Sequence, residues 1–160
     1  MPRVRTLAED APEQKVLDDI AQYGWHGVHI LAESDQGPYS FTVGLFKTYQ
    51  HPELHVYGLK REVAHQVLWN AVDGLPNGER LDLDKPTDEL LENYSCCFVE
   101  VPKASYYEYV GFARWYYYGN DFPLYQIVWP SRDGHFPWHS MASEEFRRAQ
   151  PVLGHARLGI

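Results

Sequence analysis

Residues 25–45, WHGVHILAESDQGPYSFTVGL, contain two β-type runs that are separated by turn-forming residues. The runs cover 25–32 and 39–45, and the segment 34–38 between them reads Ser-Asp-Gln-Gly-Pro. Apolar, β-branched and aromatic runs joined by such a segment are typical of a β-hairpin. This stretch therefore predicts an antiparallel sheet near the start of the chain.

Further helices and strands are predicted on the C-terminal side of this hairpin, and one helix on its N-terminal side. Asp10, Pro12 and Glu13 are helix-start signals, and the helix that they open ends at Gly24. Apolar patterns then predict strands at 54–59, 97–101 and 124–129 and helices at 61–72, 87–92, 106–118 and after Ser143. Together these elements predict a single α+β domain over 1–160, with its core at about 10–154 and helices packed on a mostly antiparallel sheet.

Composition places the chain among acidic, aromatic-rich globular proteins. Of its 160 residues, 44% are hydrophobic and 15% aromatic, and the formal net charge is −8. This acidic balance argues against nucleic acid as a general partner, because neutralising phosphates requires clustered Lys and Arg. The sequence has no apolar run of membrane-spanning length and no signal-peptide pattern, and its two cysteines suit a reducing compartment. We therefore expect a cytoplasmic protein without a membrane partner.

Aromatic residues are densest in 106–118, where eight of thirteen positions are aromatic. At helical spacing these side chains surround the helix, and such a helix is usually buried or lies at an interface. One interpretation is a wall of a binding cleft, with Tyr109 and Trp115 among the lining residues. The other interpretation is an ordinary core helix with half-exposed outer tyrosines.

The segment His51-Pro52-Glu53-Leu54-His55 has alternating polar residues. If it is extended, His51, Glu53 and His55 point to the same face, and two imidazoles and a carboxylate could bind a divalent metal. Alternatively, Pro52 places His51 in the preceding turn, His51 and Glu53 satisfy backbone groups around this turn, and His55 lies on a solvated strand. The spacing alone does not identify metal ligands.

A second group of candidate site residues lies between 126 and 138. Gln126 is a polar residue in an otherwise apolar strand, so we expect it to face inward and to be hydrogen-bonded. Trp129 and Trp138 flank a turn around Asp133 and form either a lid over the sheet or the wall of a pocket. We further expect His51, Glu53 and Gln126 to line one cavity as its polar groups.

Several sequence blocks together resemble an uncharacterised bacterial family. They are Tyr23-Gly24-Trp25, Phe41-Thr42-Val43-Gly44-Leu45, His51-Pro52-Glu53-Leu54, Tyr57-Gly58-Leu59, Gln126 to Pro130, Gly134 to Trp138 and Gln150 to Gly154. One departure is Ser131, where the family pattern has Asp. The resemblance implies a single cytosolic domain and no particular activity.

A weaker likeness, to flavin-reductase-like split barrels, is carried by the Thr-x-Gly-Leu strand end followed by Pro-Glu-Leu. It implies that groups near this turn hold the phosphate of FMN. Two functions are therefore predicted. The first is a binding domain whose aromatic cleft takes a small molecule or a protein partner, as an immunity protein binds a basic toxin. The alternative is a flavin- or metal-dependent enzyme, for which no catalytic residue is predicted.

Overall fold

The computed structural model of the chain describes residues 1–156. The end of the predicted domain, 157–160, lies outside these described residues. The strands are β1 His26–Ile30, β2 Tyr39–Val43, β3 Glu53–Tyr57, β4 Thr87–Leu91, β5 Tyr94–Glu100 and β6 Leu124–Val128. The helices are α1 Ala11–Tyr23, α2 Leu45–Tyr49, α3 Arg61–Val72, α4 Tyr106–Tyr109, α5 Gly111–Tyr116 and α6 Glu144–Ala149, and Leu75–Asn77 and Lys103–Ser105 form 3₁₀ turns.

The six strands form one sheet in the order β1-β2-β3-β6-β5-β4. The predicted hairpin is β1 and β2, in which His26 pairs with Val43 and Ile30 pairs with Tyr39. The β3–β6 pair is parallel, and the other neighbouring strands are antiparallel. This confirms the predicted α+β class with a mostly antiparallel sheet.

Helices cover both faces of the sheet. On one face α3 packs against Leu54, Val56 and Ile127. On the other face α1, α4 and α5 pack against a cluster that includes Phe41 and Leu124. None of the helices in residues 1–156 has the length and apolarity needed to span a membrane.

Two predicted helices differ from the structure. The segment predicted as a helix at 87–92 is strand β4, because Leu91 pairs with Tyr94 across a two-residue turn in which Asn93 has a left-handed φ of 69°. The helix predicted over 106–118 is divided into α4 and α5 at Val110, whose φ of −140° is not helical. A β-branched residue followed by glycine is a weak point in a helix.

Candidate functional site

Glu53, at the start of β3, is fully buried, and its carboxylate accepts hydrogen bonds from five donors. Three are the backbone amides at the beginning of α2, at distances of 3.0–3.2 Å, which a helix leaves without partners of its own. The donors are Thr42 Oγ1 at 2.7 Å, the amides of Gly44, Leu45 and Phe46, and the Tyr117 hydroxyl. Glu53 therefore holds α2 on the end of the β2–β3 pair.

The three named residues of the Thr-x-Gly-Leu motif, Thr42, Gly44 and Leu45, all donate hydrogen bonds to Glu53. Gly44 has a φ of +110°, and a Cβ there would lie 2.9 Å from the Ile20 side chain, so the turn requires glycine. Burial raises the pKa of Glu53 above its ordinary value, and the hydrogen bonds from Tyr117, Phe46 and Thr42 oppose this shift. The backbone groups that the split-barrel likeness associates with a flavin phosphate are thus occupied by the protein's own carboxyl group.

His51 and His55 are both buried, so His55 does not lie on a solvated face of its strand. His51 Nδ1 lies 2.8 Å from the Pro52 carbonyl oxygen, whereas neither ring nitrogen of His55 has a partner in residues 1–156. Burial lowers the pKa of His55 to about 3, so its ring is neutral at physiological pH. Among the described residues, no group of three or more His, Cys, Asp or Glu side chains has the arrangement of a metal site.

Gln126 is buried and hydrogen-bonded, as predicted, and its partners are in the C-terminal segment. Its Nε2 donates to the Pro151 carbonyl at 2.9 Å, and its Oε1 accepts from the Leu153 amide at 2.8 Å. In the parallel pairing of β3 with β6, Glu53 is opposite Leu124, which places Glu53 and Gln126 on the same face of the sheet. Their hydrogen-bond partners nevertheless lie in different segments, α2 and the C-terminal tail.

The other candidate residues are dispersed over the molecule. Tyr109 packs edge-on against His55, Trp115 packs against Phe112, and Trp129 donates its indole hydrogen to the Tyr57 carbonyl at 2.8 Å. Asp133 is exposed in its turn, and Trp138 lines a cavity of about 330 Å³. A ligand-binding role for these residues stays a prediction.

A different cleft, of about 200 Å³, opens at the β1 edge of the sheet. It lies between helices on opposite faces of the sheet, and we call it the edge cleft. Its lining residues are Lys15, Asp19 and Tyr23 of α1, Trp25, His26 and Gly27 at the start of β1, and His65 and Trp69 of α3.

The polar part of the edge cleft is centred on Asp19. Its carboxylate lies 2.8 Å from Lys15 Nζ and 2.7 Å from His26 Nδ1, and the side chains of Asp19 and His26 are each 15% exposed. Partial burial acts to raise the pKa of Asp19, but hydrogen bonds from Lys15 and His26 outweigh it and lower this pKa. The cleft therefore contains an ionised, half-buried carboxylate.

The walls of the edge cleft are aromatic. The Trp25 and Trp69 rings meet edge to face, with 5.4 Å between their centroids. The Trp69 indole nitrogen donates to His65 Nε2 at 2.8 Å, which holds both rings in place. Tyr23 and Trp69 remain 50% and 39% exposed, so aromatic surface is available to a ligand.

This cleft was not predicted, although the sequence contains one signal for it. Lys15, Asp19 and Tyr23 follow one another at intervals of four residues, which places them on one side of α1. The turn at Gly24 then directs the chain back into β1, so that His26 reaches Asp19 seven residues earlier.

The family model described as a domain of unknown function, DUF4262, matches residues 19–143. The chain belongs to the DUF4262 family. This confirms the predicted resemblance to an uncharacterised family. The DUF4262 match contains the residues of the edge cleft with the exception of Lys15. Comparison with curated proteins and with solved structures found no match.

Proposed function

We propose that this DUF4262 domain is a binding module and that its edge cleft accepts a cationic group of the ligand. The observation that carries the proposal is the ionised Asp19 carboxylate beside the exposed aromatic surfaces of Tyr23 and Trp69. A few polar groups that converge among aromatic side chains are the usual composition of a ligand site. The proposal keeps the predicted binding role, but it assigns this role to the edge cleft and not to the site residues predicted from the sequence.

A cation is the ligand group that fits this arrangement best. Aromatic faces attract Lys and Arg side chains, and a carboxylate provides the opposite charge. The protein already places one cation there, because Lys15 Nζ lies 2.8 Å from Asp19 and the Lys15 side chain is 66% exposed. Since little packing holds Lys15, an incoming guanidinium can take its position at the carboxylate.

The charge of the whole chain supports the same direction. A formal net charge of −8 raises the local concentration of positively charged ligands and increases their association rate. This contribution weakens as salt screens the charges, whereas the contact with half-buried Asp19 is screened less.

The test is an NMR titration with Nα-acetyl-arginine N-methylamide. Its matched control ligand is the citrulline derivative, which has a closely similar shape without the charge. We expect arginine to shift the indole signals of Trp25 and Trp69 and the amide signal of Gly27, and citrulline to leave them unchanged. Equal shifts with both ligands would contradict the proposal.

A pair of carboxylate variants tests the role of Asp19 in the same titration. Asp19→Asn is expected to weaken arginine binding about tenfold, which corresponds to about 1.4 kcal/mol. Asp121→Asn is the control, because its fully exposed carboxylate lies 4.0 Å from Lys103, outside the cleft. The proposal fails if the two variants bind arginine equally well.

We also propose a reducing compartment such as the cytoplasm. Cys96 and Cys97 are free and buried, and burial raises the pKa of each thiol to about 12. Buried thiols of this kind are unreactive and act as small core residues. Persistent free thiols are typical of proteins in reducing compartments.

A further inference from the structure

Strand β1 forms an edge of the sheet, and it carries no acidic residue, lysine or proline and no register shift. Among the described residues it pairs with β2 and with no other strand. Its sequence, His-Gly-Val-His-Ile, contains no Lys, Asp, Glu or Pro. Edge strands that avoid pairing commonly carry charged residues, proline or a bulge.

The opposite edge of the sheet shows what such protection looks like in the same molecule. Strand β4 carries exposed Asp88 and Glu89, and its pairing with β5 shifts register between Thr87 and Leu91. Charges and irregular pairing both oppose the addition of another strand. The β4 edge therefore opposes the pairing of a further strand through its charges and irregular register, and the β1 edge has neither feature.

At Gly27 the backbone of β1 lines the edge cleft. The cleft lies between α1 and α3, and Gly27 is part of its lining. Because glycine has no side chain, another backbone can approach it closely. A Cβ at Gly27 would lie 3.4 Å from the Trp25 ring, so an alanine would partly fill this space.

We propose that an extended basic segment of a partner protein adds to β1 as a seventh strand and inserts one Arg or Lys side chain into the edge cleft. In this mode the backbone hydrogen bonds provide affinity, and a pocket for an alternate side chain provides specificity. The inference rests on the proposed function, because the inserted side chain is the cation that the cleft accepts.

Acidic residues at both ends of β1 favour a basic partner. Asp18 and Asp19 lie on α1 beside the start of β1, and Glu33 and Asp35 follow its end. A second copy of this chain fits the edge less well, because two chains of net charge −8 repel each other.

The experiment uses the 160-residue chain and the peptide acetyl-Thr-Val-Thr-Arg-Thr-Val-Thr-amide. Two versions with N-methylated backbone amides are compared with it. The first is methylated at the four Thr residues, and the second is methylated at the two Val residues and at Arg. Only one alternate set of peptide amides can face β1, so only one version should lose the strand contacts.

We expect the parent peptide to bind about tenfold more tightly than the arginine derivative, because several backbone hydrogen bonds are added. One methylated version should lose this gain and the other should keep most of it. Every second backbone amide hydrogen of β1 should also exchange more slowly with solvent deuterium when the parent peptide is bound. Equal affinities for the three peptides, or no gain over the arginine derivative, would overturn strand addition.

The outcomes separate this inference from the proposed function. If the arginine derivative binds and the peptide brings no gain, strand addition is wrong and the cleft remains a cation site. If the arginine derivative does not perturb the cleft, the proposed function itself fails. A dimer of the free protein with protected β1 amides would assign this edge to a second copy and would contradict the proposal.

Discussion

The buried imidazole of His55 makes the stability of this protein depend on pH in a way that one substitution can remove. His55 is surrounded by aromatic rings, with 5.2 Å between its ring centroid and that of Tyr39 and 6.4 Å to that of Phe41. Burial lowers its pKa from 6.5 to about 3. The substitution His55→Phe keeps an aromatic ring in this position and removes the titratable group.

The sign of the effect follows from the direction of the shift. Because the pKa of His55 is lower in the folded state, the unfolded state binds more protons below pH 6.5, and stability falls as the pH falls. Each pH unit between 6.5 and the folded value costs about 1.4 kcal/mol. At pH 4.5, two units below the unfolded pKa, the wild type has lost about 2.7 kcal/mol through this residue.

Urea unfolding at pH 7.5 and pH 4.5 measures the effect for the wild type and for His55→Phe. The difference in free energy of unfolding between the two proteins should change by about 2.7 kcal/mol in favour of the variant between these pH values. Any packing cost of the larger ring is the same at both pH values and cancels. The substitution of an exposed histidine, His155→Phe, is the control. A difference between wild type and His55→Phe that does not vary with pH would refute the reasoning.

Three other substitutions test the hydrogen bonds and the cleft. Glu53→Gln should lower the free energy of unfolding by about 2–4 kcal/mol, because one amide oxygen cannot accept hydrogen bonds from five buried donors. Urea unfolding measures this change, and the substitution of an exposed residue, Glu33→Gln, is the control. Gln126→Leu should cost about 1–3 kcal/mol and speed hydrogen exchange at the Leu153 amide, and unchanged exchange would show that the tail is held by other contacts. Gly27→Ala should keep the wild-type melting temperature and weaken arginine binding severalfold by narrowing the cleft, and unchanged arginine affinity would place the ligand elsewhere.

The elements with strong local signals could be predicted from the sequence. The hairpin of β1 and β2 follows from alternating β-type runs around a turn, and α3 follows from the helical spacing of its apolar residues. Strand β4 was predicted as a helix because Thr87 is a suitable helix cap, but the pairing of this segment with β5 decides its conformation. Pairing between segments is a tertiary effect that overrides local preference.

The buried polar residues were predicted in part. Gln126 faces inward and is hydrogen-bonded, as an isolated polar residue in an apolar strand requires. The partners of Glu53 could not be predicted, because the amides that it accepts from become available only when α2 begins beside β3.

The edge cleft could not be predicted as a site for a related reason. It combines α1, the start of β1 and α3, and the Trp69 side chain reaches Trp25 only because α3 packs on the sheet. Each of its residues has an ordinary local role, such as a surface salt bridge between Lys15 and Asp19. The convergence of these groups is a property of the fold.

The central claim, that the edge cleft accepts a cation in place of Lys15, is tested most directly by comparing arginine affinities of two variants with opposite expected effects. Lys15→Met removes the competing ammonium and should raise the affinity for Nα-acetyl-arginine N-methylamide severalfold, whereas Asp19→Asn should lower it about tenfold. Lys103→Met controls for the loss of one surface charge. Affinity that falls in Lys15→Met, or that is the same in Asp19→Asn as in the wild type, would contradict the claim.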